Sequence, residues 1–591
     1  MGRAASAGRG VKPGMDAILL TEADCPHKPP ARRAAVAGGI FRFGVELKAG
    51  KSGGERNVAG MILSELRGMR GAGLLVLPVA FFAAALALRQ AGGPFWEWHI
   101  VDPSYFYLFD ALHLAQFTPP GQSYHPGTPV QIAGGIVLRL AYPLASSADL
   151  AAAVLADPEA HLRLLSNVLL GLIATGLLAA GALARALTGS STLALLAQAA
   201  PLLSMVILKN AYHVKPESLL ILTALAFSAA VLAAGRAWSP AGLPGRWTVA
   251  LGVLAGLGLA TKLTAAPLFL LPLFLLGGGR GAALYGLAAA AAFFVFTLPA
   301  LPNFGKFLDL ATVTLARSGA YGTGDKTVVD MAVYPRAILR VASRPIVHLQ
   351  LLLGLAALAL WAWRRRRGLA VPAFEARALA GLTLAVLVAV LAIAKQPTAN
   401  YMIPIYMQLP LAVILCVRFA AGLKVWDAAH RRLATRAGAG LLAAALVVQA
   451  VAVGREYADL AGKKAQAARV DDGLFAACAR IYFFPASSPS FALLLGNWWT
   501  GSRHGAAVAA RVPANDLWFE QNVMALRDAT GARDLGRVLA DNKCVFLRGG
   551  HPGPIGGYLA RHAPGVAFDS SCSTRDETVL TRGVDCRGNL K

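Results

Sequence analysis

Two carboxylates and a few lysines are the residues of this chain best placed to do chemistry. Asp102 lies in Trp96-Glu97-Trp98-His99-Ile100-Val101-Asp102-Pro103-Ser104-Tyr105, after the first long apolar run. A carboxylate just outside lipid can act as a general base. It can equally cap a helix, with Pro103 at the first helical position, and the two roles can coexist. Asp110, eight residues on, falls on roughly the same helical face and is expected to face water. Glu217 lies in Lys209-Asn210-Ala211-Tyr212-His213-Val214-Lys215-Pro216-Glu217-Ser218, a short loop between two apolar runs. A helix dipole alone would stabilise a carboxylate there. His213 and Lys215 beside it make the loop unusually polar, and hence a candidate site. Lys262 interrupts Ala260-Thr261-Lys262-Leu263-Thr264, and Lys395 stands in Ala394-Lys395-Gln396-Pro397-Thr398-Ala399-Asn400-Tyr401. An ammonium at such a position must snorkel to the headgroups or meet an anion, and phosphate is the obvious anion. His125, in Tyr124-His125-Pro126-Gly127-Thr128-Pro129, is a candidate ligand contact or a structural turn residue. There is no Walker motif, no glycine-rich dinucleotide fingerprint after a strand and no Cys/His spacing suited to zinc.

The elements that must position these residues are set by composition. The chain has 591 residues, of which 56% are apolar and 15% charged, against roughly 25% charged in a soluble protein. Mean hydropathy is +0.55. So little polar surface cannot cover the chain in water. A set of soluble domains, a disordered chain, a collagen and a disulfide-dense mini-protein are all excluded, leaving a polytopic α-helical membrane protein. The net charge is +25. Residues 1–70 hold 12 basic and 6 acidic side chains, 455–591 hold 17 and 13, and 71–454 hold 27 and 12. Positive charge inside a hydrophobic region points to topology signals or an anionic ligand at a bilayer, not to nucleic acid.

About eleven spans are expected, near 71–89, 164–184, 191–208, 217–234, 247–261, 263–277, 281–301, 346–363, 378–394, 401–420 and 438–454. The 247–277 stretch, broken at Lys262, reads as two short helices or a re-entrant pair. Val130–Ala145 is short and carries Arg139 mid-run. Read as an interfacial, non-spanning helix, it puts Arg185, Arg236, Arg246, Arg280, Arg364 to Arg367, Arg431, Arg432 and Arg436 on the same, cytoplasmic side as the N-terminus. Lys209, Lys215, Lys262 and Lys395 then fall on the outer face, where that rule disfavours them. Three regions are expected: a disordered cytoplasmic tail (1–70, with Met61 a candidate alternative start), a transmembrane domain (71–454) and a small outer-face α/β domain (455–591). In the last, Cys544–Leu547 and Thr578–Leu580 read as strands and Asp516–Ala529 as helix. Cys478, Cys544, Cys572 and Cys586 suit two disulfides of unassigned pairing.

In their order, these pieces resemble the GT-C superfamily of integral-membrane glycosyltransferases, in the branch of protein O-mannosyltransferases and aminoarabinose transferases. The matching segments are Asp102–Tyr105, His125–Pro129, Arg163-Leu164-Leu165-Ser166, Pro216-Glu217, Gly256–Lys262 and Asn400-Tyr401-Met402-Ile403-Pro404. The departures are Gly127 for a Pro, Glu217 where Asp is commoner, and Asn400 for an Arg. The likeness covers roughly 71–420. It implies transfer of a sugar from a polyprenyl-phosphate donor to an acceptor hydroxyl on a lipid, glycan or protein, at the outer face of a bacterial inner membrane. It implies Asp102 as base, Glu217 as a second catalytic carboxylate orienting the acceptor or a divalent metal, and Lys262 as the main phosphate contact. Lys215, Lys395, His125, Tyr105 and Tyr401 would complete the substrate site. Two competing classes are a lipid or sugar-lipid flippase, which would show repeated halves with charges in mid-membrane, and a scaffold presenting the tail domain.

Overall fold

The computed structural model describes residues 58–66, 69–124, 126–424, 428–584 and 586. The expectations for residues 1–57 and for His125 lie outside the described residues. Among the described residues, eight helices are long and apolar enough to cross a membrane, or nine if one bent pair counts as a span. The difference from eleven has local causes. The 191–208 run is bent by 75° between Ser191–Leu203 and Met205–Ala211. Ser204 at the bend is extended, with φ −150° and ψ 121°. The 247–277 run divides into a helix Gly245–Thr261 of 17 residues and a 3₁₀ helix Leu263–Phe274 of 12. Pro267 and Pro272 account for the 3₁₀ form: each lacks an N–H, and its ring would strike the carbonyl four residues back in an α-helix. The 281–301 run continues through a 3₁₀ turn at Leu298–Asn303 into a further apolar helix, Phe304–Ala316. Thr128–Ala141 is a 14-residue helix, about 21 Å long and short of a bilayer's ~30 Å core.

The tail carries one mixed sheet. Its strands are β1 (Ala479–Phe483), β2 (Asp516–Glu520), β3 (Ala525–Arg527), β4 (Ala532–Arg533), β5 (Val545–Gly549) and β6 (Thr578–Arg582), in the order β4-β3-β2-β1-β5-β6. β2, β1 and β5 are parallel, and the outer strands are antiparallel. The Asp516–Ala529 segment is therefore two strands, not a helix. Its Leu517 and Phe519 enter one core while Trp518 enters another. With both faces buried, the run lacks the alternation that marks a half-exposed strand. The second core is shared with the first loop, residues 93–157 between the first two long apolar helices: Trp518, Phe546 and Tyr482 cluster with Phe106, Phe109 and Leu112 of the helix Val101–Ala115. Gly496 and Gly121 allow the approach. A side chain at 496 would meet the Phe109 ring at 2.9 Å, and one at 121 would overlap the Thr500 carbonyl.

The disulfides are Cys478–Cys544, joining the starts of β1 and β5, and Cys572–Cys586. A 40-residue helix, Ala428–Ala467, leads from the bundle to the sheet. Arg548 clamps its end, donating to the Ala467 carbonyl (2.8 Å) while pairing with Glu577 (2.7 Å) and Asp472 (2.8 Å). Asp110 does not face water. It is fully buried and accepts from the Gly121 N–H (2.7 Å), the Gln122 N–H (3.4 Å) and Gln131 Nε2 (2.9 Å), which ties Gly121 and Gln122 to the helix Thr128–Ala141. Burial pushes its carboxyl up to about 8.

Candidate functional site

Helix ends assemble the site. Glu217 is in the first turn of Pro216–Ala234, Lys262 follows Gly245–Thr261, Lys395 follows Ala373–Ala394, and Asn400 and Tyr401 open the segment Ala399–Gly422. Lys262 is extended (φ −166°, ψ 132°), so the chain breaks at the residue that carries the charge. The 212–217 loop is pinned from below. The Ser166 hydroxyl donates to the Tyr212 carbonyl (2.6 Å) and accepts from Arg89 Nη1 (3.0 Å).

At the centre, Lys262 Nζ donates to Glu217 Oε1 at 2.7 Å, and Asn400 Nδ2 donates to the same oxygen at 2.8 Å. Both charged groups are buried. A buried carboxylate with two donors, one of them cationic, is fixed in place. The ammonium also lies over the Tyr401 ring, 4.7 Å from its centroid, a cation–π contact. The Tyr401 hydroxyl meets the Tyr321 hydroxyl (2.6 Å) and accepts from Gln396 Nε2 (3.2 Å).

Asp102 stands in the first turn of Val101–Ala115 and is not its cap: Ile100 precedes the helix, without a side-chain cap bond. Its side chain is exposed. Desolvation by the surrounding protein pushes its carboxyl above the usual range, against the pull of nearby Lys215; Glu217 adds to the rise and Lys262 opposes it. Lys215 is half-buried and makes no side-chain hydrogen bond or ion pair among the described residues. Burial lowers its pKa, and Glu217 opposes that. The four lysines that positive-inside statistics disfavour thus have separate fates. Lys209 pairs with Glu456 (2.7 Å), Lys262 pairs with Glu217, Lys395 donates to the Thr314 and Leu315 carbonyls, and Lys215 is uncommitted.

Beside this centre lies an apolar cavity of about 470 Å³. Lys262, Tyr401, Lys395, Tyr321 and Tyr124 form its polar lining, and Pro267, Leu270, Phe307 and Leu310 are among its apolar walls. The structure therefore brings Asp102, Lys215, Glu217, Lys262, Tyr401 and Lys395 to one end of the helices. Tyr105 is not part of this group. It is buried and donates to Glu159 (3.0 Å), which also accepts from the Phe95 and Trp96 N–H groups. Its place in a motif beside Asp102 gave no sign that its hydroxyl is committed to Glu159. Tyr321 and Tyr124 line the site and escaped sequence reasoning. Asn400, noted in the sequence only as a departure from an Arg, belongs to the site through its bond to Glu217.

A divalent metal does not fit the donor set. Glu217 is committed to Lys262 and Asn400, and no three His, Cys, Asp or Glu side chains converge to hold an ion among the described residues. No step is routed through one. No family model, curated protein or solved structure matches the chain.

Proposed function

We propose that this chain is a membrane glycosyltransferase that moves a sugar from a polyprenyl-phosphate donor to an acceptor hydroxyl. The observation that carries the reading is the buried Lys262–Glu217 pair, held by Asn400 and Tyr401 beside an apolar cavity, with the exposed Asp102 carboxylate and the uncommitted Lys215 among its charged neighbours. An ionised Asp102 takes the acceptor's proton as the acceptor oxygen bonds the sugar's anomeric carbon. The bond from that carbon to the donor phosphate breaks, and its electron pair leaves with polyprenyl phosphate. Lys215 neutralises the charge that develops on the phosphate. Lys262 is already neutralised by Glu217, so it serves more by orienting the pair and Tyr401 than as a free counter-charge. The cavity takes the first isoprene units. The arginine distribution supports a bacterial inner-membrane orientation with the N-terminus cytoplasmic and the tail domain periplasmic or extracellular.

The direct test incubates the purified protein with polyprenyl-phosphate sugars and a panel of lipid, glycan and peptide acceptors, and measures release of polyprenyl phosphate together with sugar on the acceptor. No release from any donor sinks the proposal. The charge set also predicts the pH profile. Asp102 must be ionised, so turnover rises with pH through a pKa above the ordinary aspartate value. Lys215 must be protonated, so turnover falls again through a pKa below the ordinary lysine value. Lys215→Arg should remove the alkaline limb, because guanidinium keeps its charge. A profile flat from weakly acidic to strongly alkaline pH would contradict both roles.

A further inference from the structure

Trp498 and Trp499 end the tail-domain helix Pro489–Trp499. The residues from Phe491 to Asn497 are buried, but these two indoles are only half-buried. Trp499 stacks on Phe106, with centroids 5.6 Å apart and ring planes 30° apart. Tyr124 meets Trp499 edge-on at 5.6 Å, and Trp498 meets it edge-on at 5.4 Å. Both contacts lead back to the reaction centre. Phe106 is one helical turn beyond Asp102 and shares its face. Tyr124 lines the cavity with Lys262 and Tyr401. One tail-domain indole therefore touches both a neighbour of the base and a wall of the donor cavity.

The turn after the helix is locked to the first loop. Arg503 Nη1 donates to the Pro119 carbonyl (2.9 Å), and His504 stacks on His113 with centroids 5.2 Å apart. The indoles are thus held rigidly while part of their surface stays open. A partly exposed, pre-ordered tryptophan has a flat, electron-rich face, which attracts the positively polarised edges of other groups. The C–H bonds on one face of a pyranose present such an edge, while the ring's hydroxyls remain in water. We propose that Trp499, flanked by Tyr124 and Trp498, is a shelf for a saccharide ring of the acceptor. On this view the acceptor is a carbohydrate rather than a peptide or a bare lipid. This inference rests on the transferase reading and goes beyond it by naming the acceptor class.

The test uses the full-length protein in detergent, without donor, so that saccharide binding is read independently of transfer. Saturation-transfer NMR would follow titrations with methyl β-glucoside, methyl α-mannoside, methyl β-galactoside and chitobiose. At least one should bind, with its ring protons receiving the transfer. Trp499→Leu should weaken that binding about tenfold, equivalent to ~1.4 kcal/mol. Trp499→Phe should recover much of it by restoring an aromatic face on Phe106. In transfer assays the same leucine variant should raise the acceptor KM more than it lowers kcat. Binding of none of the four saccharides, equal binding by Trp499→Leu, or preferential binding of a serine-rich peptide would each overturn the shelf. Failure of wild-type donor turnover would sink the transferase reading instead, with saccharide binding still measurable.

Discussion

Asp102→Asn is expected to lower the turnover of sugar transfer by roughly 10²–10⁴-fold, the range typical of a lost general base. The amide has nearly the shape of the carboxylate but cannot accept the acceptor's proton. The side chain is exposed and caps nothing, so the variant should insert and fold like the wild type. Donor affinity should change little, because the proposed phosphate contacts come from lysine. The rate should also lose its acid limb. Glycan transfer by the purified variant, at matched expression and matched melting temperature, decides the matter. An undiminished rate would remove Asp102 from the mechanism and leave the cavity without a base.

Breaking the buried pair should have the second largest effect, and on stability as well as activity. Glu217→Leu leaves the largely buried Lys262 ammonium without its carboxylate partner. Removing one partner of such a pair typically costs about 3–5 kcal/mol. Lys262→Met strands the carboxylate, though Asn400 and Lys215 soften the loss. The double variant Glu217→Leu with Lys262→Met removes both charges, so it should recover much of the stability. Activity should not return with it, because the Tyr401 contact and the charge balance around Lys215 are gone. Thermal unfolding in detergent gives the stability cycle, and donor turnover gives the other. If the double variant is no more stable than the worse single one, the two groups do not stabilise each other as their 2.7 Å contact requires.

Much of this site could be anticipated from sequence because lipid makes charge conspicuous. A lysine interrupting an apolar run, or a carboxylate opening one, stands out where few charges occur. Lys262, Glu217, Lys215 and Lys395 were visible for that reason. What the sequence could not reveal was how they divide the work. Lys262 and Lys215 look alike in one dimension, but 45 residues upstream of Lys262 a glutamate takes up its charge. Tyr105 illustrates the opposite error. Adjacency in a motif suggested a shared role, but the Tyr105 hydroxyl is taken up by Glu159, 54 residues away in sequence. The span count suffered similarly. Composition shows where a run is apolar, whereas Ser204, Pro267 and Pro272 decide whether it stays straight. In the tail, the strand Asp516–Glu520 is buried on both faces, so periodicity carried no signal.

The missing side chain at Gly121 has a consequence for how this protein can be taken apart. There the first loop lies against the backbone at Thr500 so closely that any larger residue would collide with it. The tail is therefore a fitted part, not an interchangeable cassette. A chimera carrying another protein's tail would need a matching groove at 121 and a matching glycine at 496. Without both, the graft would be held off the bundle. Truncation at residue 454 would likewise expose Phe106 and Phe109 to water rather than release a smaller working core.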